Sequence, residues 1–260
     1  ERVRPAVRVG FKLVRTVLHL LRGWWIIRLH FPRLAQPQRE QHVQRWAAQM
    51  LAIFGITLVR RGPPLSSGPV LLVANHISWL DILVMHASGY CRFISKADVH
   101  HWPLIGHMAA AAGTLFIERE SRRDAMRVVH HMAERLRAGE VLAVFPEGTT
   151  GNGVELKPFH ANLIQAAISA DAPVQPVALR FIDGRTGEVS LAPRFVDDDT
   201  LLSSVLKTLG ARDLRAEVIS GNVQLCEGRD RRQWAADLRE VVEGLRYRVH
   251  DAANADNPLP

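Results

Sequence analysis

The sequence predicts an α/β domain that is preceded by two amphipathic helices. From about residue 57 onward, short apolar runs of β-type residues alternate with longer stretches of helical periodicity, which is the pattern of a sheet covered by helices. Before that point, apolar and basic residues recur at helical spacing. We therefore predict a membrane-associating helical hairpin over residues 1–56 and an α/β domain over residues 57–260.

The first helix is predicted to carry basic and apolar residues on opposite faces. Such a helix is typical of the membrane interface, where its cations face anionic headgroups. An ordinary surface helix packed on the domain is the alternative. No run here reaches the roughly 20 apolar residues that span a bilayer. The residues predicted to bind the membrane are Arg4, Arg8, Lys12, Arg15, Arg22, Trp24 and Trp25.

A second amphipathic helix follows after Pro32 and Pro37 break the chain. Its apolar positions run at helical spacing from Val43 to Phe54. Two helices joined by a proline-bearing turn suggest a hairpin that docks either on a membrane or on the main domain.

The α/β region divides into six candidate strands and several helices. The candidate strands are residues 70–74, 91–95, 114–117, 141–145, 174–181 and 188–191. The candidate helices are residues 79–87, 122–137, 161–170 and 200–209. Ser121 and Asp124 are suited to cap the second of these helices at its start, and Gly139 at its end. A C-terminal helix carries Trp234 and Leu238 on a core-facing stripe.

Charge and cysteine content narrow the function classes. The chain of 260 residues has a formal net charge of +7, which suits nucleic acid, an anionic membrane or a phosphorylated substrate. Cys91 and Cys226 form no Cys-x-x-Cys pair and no cluster with histidine. A disulfide framework is therefore not expected, and no metal site is predicted.

His76 and Asp81 form the first candidate catalytic pair. They follow an apolar strand and are five residues apart. They can meet if His76 lies in the turn and Asp81 in the first turn of the next helix, where a carboxylate is favourable. The carboxylate would then accept Nδ1–H and leave Nε2 as a base. The alternative is that Asn75 or Ser78 caps the helix and His76 is incidental.

Two further segments end apolar strands in polar residues. Residues 145–150 read Phe-Pro-Glu-Gly-Thr-Thr, and residues 113–119 end in Glu-Arg. Loops at the carboxyl ends of strands are where α/β sheets bind ligands. Arg119 is suited to bind a phosphate, although a solvated charge is the simpler explanation for that residue. A Glu-Gly turn is usually structural.

Together these segments resemble the glycerophospholipid acyltransferase family, in particular the lysophosphatidate (1-acylglycerol-3-phosphate) acyltransferases. Asn-His-Ile-Ser-Trp-Leu-Asp at residues 75–81 matches the family's His-x4-Asp block, and residues 113–119 and 145–149 match its second and third blocks. Residues 172–178 resemble its fourth, a Val-x-Pro-Val pattern. The resemblance covers roughly residues 70–180, in the family's order and spacing.

The resemblance implies a mixed, mostly parallel sheet flanked by helices, as in glycerol-3-phosphate acyltransferases. It also implies acyl transfer from acyl-CoA or acyl-carrier protein to a lysolipid in phospholipid biosynthesis, without a cofactor. The acceptor would be lysophosphatidate. The protein would lie at the cytoplasmic face of a bacterial inner membrane. His76 would be the catalytic base and Asp81 its orienting partner. The substrate-binding residues would be Asn75, Ser78, Lys96, Arg119, Glu147, Gly148, Thr149, Thr150 and Lys157.

Two departures from the family pattern bear on the acceptor. Thr150 stands where many members have arginine, and His160 follows Pro158-Phe159 where many have lysine. Lys157 is suited to replace a missing cation. Acyltransferases that act on lyso-ornithine lipid also carry Glu-Gly-Thr-Thr, so that lipid is the alternative acceptor.

Two other function classes compete with an enzyme. A non-catalytic membrane or lipid-binding module would use the basic helix and an apolar groove. Nucleic-acid binding fits the charge, but the sequence has no recognised nucleic-acid motif, and an apolar stripe lies opposite the basic one. We therefore predict no nucleic-acid partner.

Overall fold

The computed structural model describes residues 5–117, 122–196 and 200–255. The strands in these ranges are β1 (Ile56–Arg61), β2 (Val70–Ala74), β3 (Arg92–Lys96), β4 (Leu115–Ile117), β5 (Val141–Val144), β6 (Val174–Asp183) and β7 (Leu214–Ser220). The helices are α1 (Pro5–Leu29), a short 3-10 helix (Phe31–Arg33), α2 (Gln36–Phe54), α3 (Leu80–Ser88), α4 (Ala97–His100), α5 (Ile105–Ala111), α6 (Arg122–Arg137), α7 (Ala161–Ala170), α8 (Leu201–Gly210) and α9 (Arg231–Ala255).

The described strands form one mixed sheet in the order β1-β7-β6-β2-β5-β3-β4. Every neighbouring pair is parallel except β6 and β7, which are antiparallel. The predicted mixed, mostly parallel sheet flanked by helices is therefore confirmed.

Helices cover both faces of the sheet. On one face, α2 and α3 pack their apolar residues against the central strands, and the core there includes Leu51, Phe54 and Met85. On the other face, α6, α7 and α9 build a second core that includes Met132 and Trp234. The central strand β2 is buried at every position, as expected for a strand covered on both sides. Because α2 shares a core with the sheet, residues 36–54 pack as part of the main body.

α1 turns part of its polar face inward, which corrects the prediction for two basic residues. Lys12 Nζ donates hydrogen bonds to the carbonyl oxygens of Phe54 and Leu209, and Arg8 donates to Gly210 O at 2.9 Å. These carbonyls lie at the ends of α2 and α8, where the helix dipole favours a cation. Arg8 and Lys12 are therefore docking residues, contrary to the prediction that they face a membrane.

The opposite stripe of α1 leaves large apolar side chains exposed. It is formed by Val7, Phe11, Val14, Leu18, Leu21, Trp25 and Leu29, each between 45% and 63% exposed. Arg15 and Arg22 are also exposed, whereas Trp24 is half-buried. Arg4 lies outside the described residues. Within the described ranges, no helix has both the length and the apolar character that crossing a membrane requires.

Two neighbouring strands and one predicted strand differ from expectation. Residues 188–191 form a single bridge, between Ile182 and Val189, and no strand. β1 and β7 were not predicted, because charged residues end the short apolar run of β1 and interrupt that of β7. In β7 the charge is Glu217, which is buried and lies 3.6 Å from the guanidinium of Arg180 on the neighbouring strand.

Candidate active site

The predicted polar residues meet at one edge of the sheet. His76 follows β2, Phe145 and Glu147 follow β5, and Lys96 ends β3. Because these strands are parallel neighbours, their carboxyl ends lie side by side, which is where α/β sheets bind ligands. Arg119 follows β4 in the sequence but lies outside the described residues.

His76 and Asp81 are in direct contact. His76 Nδ1 lies 2.8 Å from Asp81 Oδ2, and the same oxygen accepts the backbone N–H groups of Ile77 and Ser78 at 2.6 and 2.9 Å. Asp81 lies in the first turn of α3 and is fully buried. The Asp81 carboxylate is buried and accepts three hydrogen bonds, so it is held rigidly. The His76 imidazole, which donates one of these bonds, is therefore held in place as well.

One nitrogen of the His76 imidazole is free to act as a base. With Nδ1–H donated to Asp81, Nε2 carries the free lone pair. The ring stacks on Phe145 with centroids 4.0 Å apart and planes 6° apart, and it lies on the wall of a cavity. Sequence reasoning did not identify Phe145 as a site residue. The sequence feature that could have identified Phe145 is its position directly before Pro146-Glu147.

Glu147 holds the backbone of the site. Its Oε1 accepts the N–H of His76 at 2.7 Å and its Oε2 accepts the N–H of Lys157 at 2.9 Å. Burial raises the pKa of Glu147, and the hydrogen bonds from His76 and Lys157 oppose that shift. Both oxygens are occupied and the residue is 4% exposed. Glu147 is thus a positioning residue, which corrects its predicted contact with substrate.

Asn75 and Ser78 also have structural contacts in place of the predicted substrate contacts. The Asn75 amide donates to Leu179 O at 3.1 Å and accepts Leu179 N–H at 2.7 Å, which ties β2 to β6. Ser78 is fully buried and its Oγ accepts the N–H of Leu80. Both side chains therefore have structural partners within the protein.

The other predicted binding residues surround the opening of the cavity. Gly148, Thr149, Thr150 and Lys96 line it. Lys157 is exposed, and its Nζ donates to the backbone oxygen of Thr150 at 2.9 Å. The structure therefore brings Lys157 beside the threonine that replaces the family's arginine.

A long apolar cavity leads away from His76. It has a volume of about 660 Å³ and runs between α1, α2, α3 and the α4–α5 segment. Its walls include Ile26 on α1 and Met50 on α2, and His42 and His86 are among its few polar members. Sequence reasoning did not predict this cavity, because its walls come from elements that are distant in the chain. Within the described ranges, no three histidine, cysteine, aspartate or glutamate side chains are grouped as metal ligands.

The sequence is similar to those of known proteins. A protein-family model described as "Acyltransferase" matches residues 39–180. The chain is 38% identical over 228 residues to a lyso-ornithine lipid O-acyltransferase of Pseudomonas aeruginosa, and the match covers 85% of each chain. It is 43% identical over 143 residues to a 1-acyl-sn-glycerol-3-phosphate acyltransferase of Neisseria gonorrhoeae, covering 55% of each.

The fold is also similar to a solved structure. The crystal structure of the 1-acyl-sn-glycerophosphate acyltransferase of Thermotoga maritima superposes with a TM-score of 0.64 at 16% identity. The match covers 91% of this chain and 98% of that one. At this identity the likeness concerns the fold alone.

Proposed function

Because this chain belongs to the acyltransferase family, we propose that it transfers a fatty acyl chain from a thioester donor to the free hydroxyl of a lysolipid. The observation that carries the proposal is the His76–Asp81 pair at the head of a long apolar cavity. A catalytic base on the wall of an apolar cavity suits a reaction that joins a polar hydroxyl to an acyl chain.

The proposed reaction is a direct transfer. His76 Nε2 accepts the proton of the acceptor hydroxyl while that oxygen attacks the thioester carbonyl. The new C–O bond forms, the C–S bond breaks, and the imidazolium returns its proton to the departing thiolate. Asp81 keeps the ring in the required tautomer and stabilises its charged form. Ser78 is fully buried, which argues against an acyl-serine intermediate.

The donors that stabilise the oxyanion are a further part of the mechanism. Backbone N–H groups at the start of a helix are commonly used for this purpose. The N–H groups of Ile77 and Ser78 are instead directed to Asp81 Oδ2. These two groups therefore stabilise the orienting carboxylate, and the oxyanion requires donors from elsewhere at the cavity opening.

We place the acyl chain of the donor in the apolar cavity. The cavity-lining residues of α2 extend from His42 to Phe54, and twelve residues of helix rise about 18 Å. That length suits a long-chain acyl group lying extended beside α2. Acyl-CoA and acyl-carrier protein thioesters are both candidate donors.

Two acceptors are candidates. Lysophosphatidate carries a phosphate that Lys96 and Lys157, both exposed near the cavity opening, are suited to bind. Lyso-ornithine lipid carries a carboxylate and an amine instead, and Thr150 in place of an arginine favours it. The longer match to a relative with that name is a second observation in its favour.

The exposed apolar stripe of α1 is the proposed membrane contact, at the cytoplasmic face of a bacterial inner membrane. Phe11, Leu18 and Trp25 are each more than half exposed, and apolar side chains at the acyl boundary are how interfacial helices bind. Exposed Arg15 and Arg22 are suited to adjacent anionic headgroups. We expect Phe11→Glu with Leu18→Glu to abolish binding to anionic vesicles while leaving thermal stability unchanged. Retained binding would contradict this placement.

The test of the function is an acceptor panel with the purified full chain. Labelled palmitoyl-CoA and palmitoyl-acyl-carrier protein are offered with lysophosphatidate or lyso-ornithine lipid, and labelled diacyl product is measured. We expect transfer to one acceptor, and a loss of about 10²–10⁴-fold in kcat in His76→Ala. His130→Ala, an exposed histidine on α6, is the control. No transfer with any pair, or full turnover in His76→Ala, would overturn the proposal.

A further inference from the structure

His86 is a buried histidine whose ring has no hydrogen-bond partner among the described residues. It lies on α3, is 5% exposed, and contacts the rings of Tyr90 and Phe93. Its Nδ1 is closed off from solvent and unpaired. Buried polar groups in folded proteins are nearly always paired, so this imidazole requires a physical explanation.

The same ring lies on the wall of the apolar cavity. A series of ring contacts separates it from the catalytic base: His76 stacks on Phe145, Phe145 stacks on Phe93, and Phe93 meets His86 edge to face. The centroid distances are 4.0, 5.5 and 5.1 Å. His86 is therefore remote from the reacting hydroxyl and beside the path of the acyl chain.

The surroundings of His86 select an uncharged partner. Burial lowers the pKa of His86 to about 4, so the ring is neutral near pH 7, with one nitrogen as a donor and the other as an acceptor. Because Nδ1 is inaccessible, Nε2 is the nitrogen that can form a hydrogen bond with a group in the cavity. A charged group would be desolvated there. A hydroxyl can either donate or accept, so it pairs with Nε2 in either tautomer.

We propose that His86 is a specificity-determining residue that hydrogen-bonds a hydroxyl group on the acyl chain in this cavity. The inference rests on the proposed function, since it requires an acyl chain beside α3. An unsubstituted chain would leave both nitrogens of His86 unpaired, whereas a hydroxylated chain would provide a partner for Nε2. The two chains would then differ by one buried hydrogen bond in the transition state for transfer.

The test is a competition between donors with the full chain. Palmitoyl thioesters and a series of monohydroxy-palmitoyl thioesters, with the hydroxyl moved stepwise along the chain, are offered together as CoA and acyl-carrier-protein forms. The ratio of kcat/KM for hydroxylated and plain donors is read from the products by mass spectrometry. We expect one hydroxyl position, remote from the thioester, to be preferred about tenfold.

Variants assign that preference to His86. His86→Phe should reduce the ratio to about one, because phenylalanine keeps the ring but has no polar atom, and His86→Gln should restore part of it. His107→Phe changes an exposed histidine on α5 and should keep the full ratio.

The outcomes separate this inference from the proposed function. Transfer of plain chains without preference for any hydroxylated donor would overturn the role of His86 and leave the acyltransferase intact. That result needs only the unmodified chain, so misfolding of His86→Phe does not affect it. A preference that survives in His86→Phe would also overturn the role. No transfer from any donor would overturn both proposals.

Discussion

Glu147 Oε1 lies 2.7 Å from the backbone nitrogen of His76, so a carboxylate after β5 fixes the loop that carries the base after β2. The other oxygen holds the backbone of Lys157. One buried side chain thereby sets the distance between His76 and the loop that carries Lys157.

Replacing Glu147 with glutamine should lower both activity and stability. Glutamine has one acceptor oxygen where two N–H groups require acceptors, so one buried donor loses its partner. We expect the free energy of unfolding to fall by about 1–3 kcal/mol, and kcat to fall more than KM rises, because His76 is displaced. Initial rates and urea unfolding measure the two effects.

The matched control for that experiment is Glu155→Gln. Glu155 lies in the same loop with an exposed side chain, so its replacement should leave both quantities unchanged. If Glu147→Gln raised KM for the acceptor alone, with kcat and stability intact, Glu147 would instead be a direct substrate contact.

Asp81→Asn should disable the base while the fold survives. The amide keeps the size of the side chain but no longer favours the tautomer with a free Nε2 lone pair. We expect kcat to fall by up to about 10⁴-fold, the loss that the same replacement causes in a Ser-His-Asp triad. Asp98→Asn, an exposed position on α4, is the control. A loss of less than tenfold would show that Asp81 serves only to order the turn.

Lys12 and Arg15 should behave in opposite ways, although they are neighbours on α1. Lys12→Ala removes the hydrogen bonds to the ends of α2 and α8 and should lower the free energy of unfolding by about 1–2 kcal/mol. Arg15→Ala should change it by less than about 0.5 kcal/mol but weaken binding to anionic vesicles by about 1 kcal/mol. Thermal unfolding and vesicle sedimentation distinguish them, and the reverse pattern would refute the inward docking.

His86 should make the protein less stable in acid. Its pKa is lowered from 6.5 to about 4 by burial, so between these values the unfolded chain binds a proton that the folded chain does not. Stability contributed by His86 is thus present above pH 6.5 and lost as the pH falls toward 4, by roughly 3 kcal/mol. Urea unfolding at pH 7 and pH 4 should show a smaller difference in His86→Phe than in the unmodified chain. An equal difference would place His86 in a more polar environment.

The sequence predicts the parts of this protein whose signals are local. The central strands are continuous apolar runs, and His76 and Asp81 lie in one short segment, so both were accessible to sequence reasoning. β7 was missed because it contains a charge, Glu217, whose partner Arg180 lies on β6 and is not visible in the local pattern. β1 was missed because its apolar run is short and ends in two arginines.

The orientation of α1 was also beyond sequence reasoning. The residue pattern of a basic stripe is the same whether its cations face lipid headgroups or bind the carbonyl oxygens at helix ends. Only the placement of Phe54 and Leu209 shows that Lys12 docks on carbonyl oxygens. The role of Glu147 depends in the same way on two backbone N–H groups, which no residue pattern reveals.

α1 presents its apolar stripe outward, and its inner side supplies Leu20, Gly23, Ile26 and Ile27 to the wall of the apolar cavity. Deleting the helix to obtain a more soluble protein would therefore remove part of that wall and open the cavity to water. Replacing the outward residues Phe11 and Leu18 changes only the exposed face, because neither of them lines the cavity. Solubility is thus better improved by substitution on the outer stripe than by truncation.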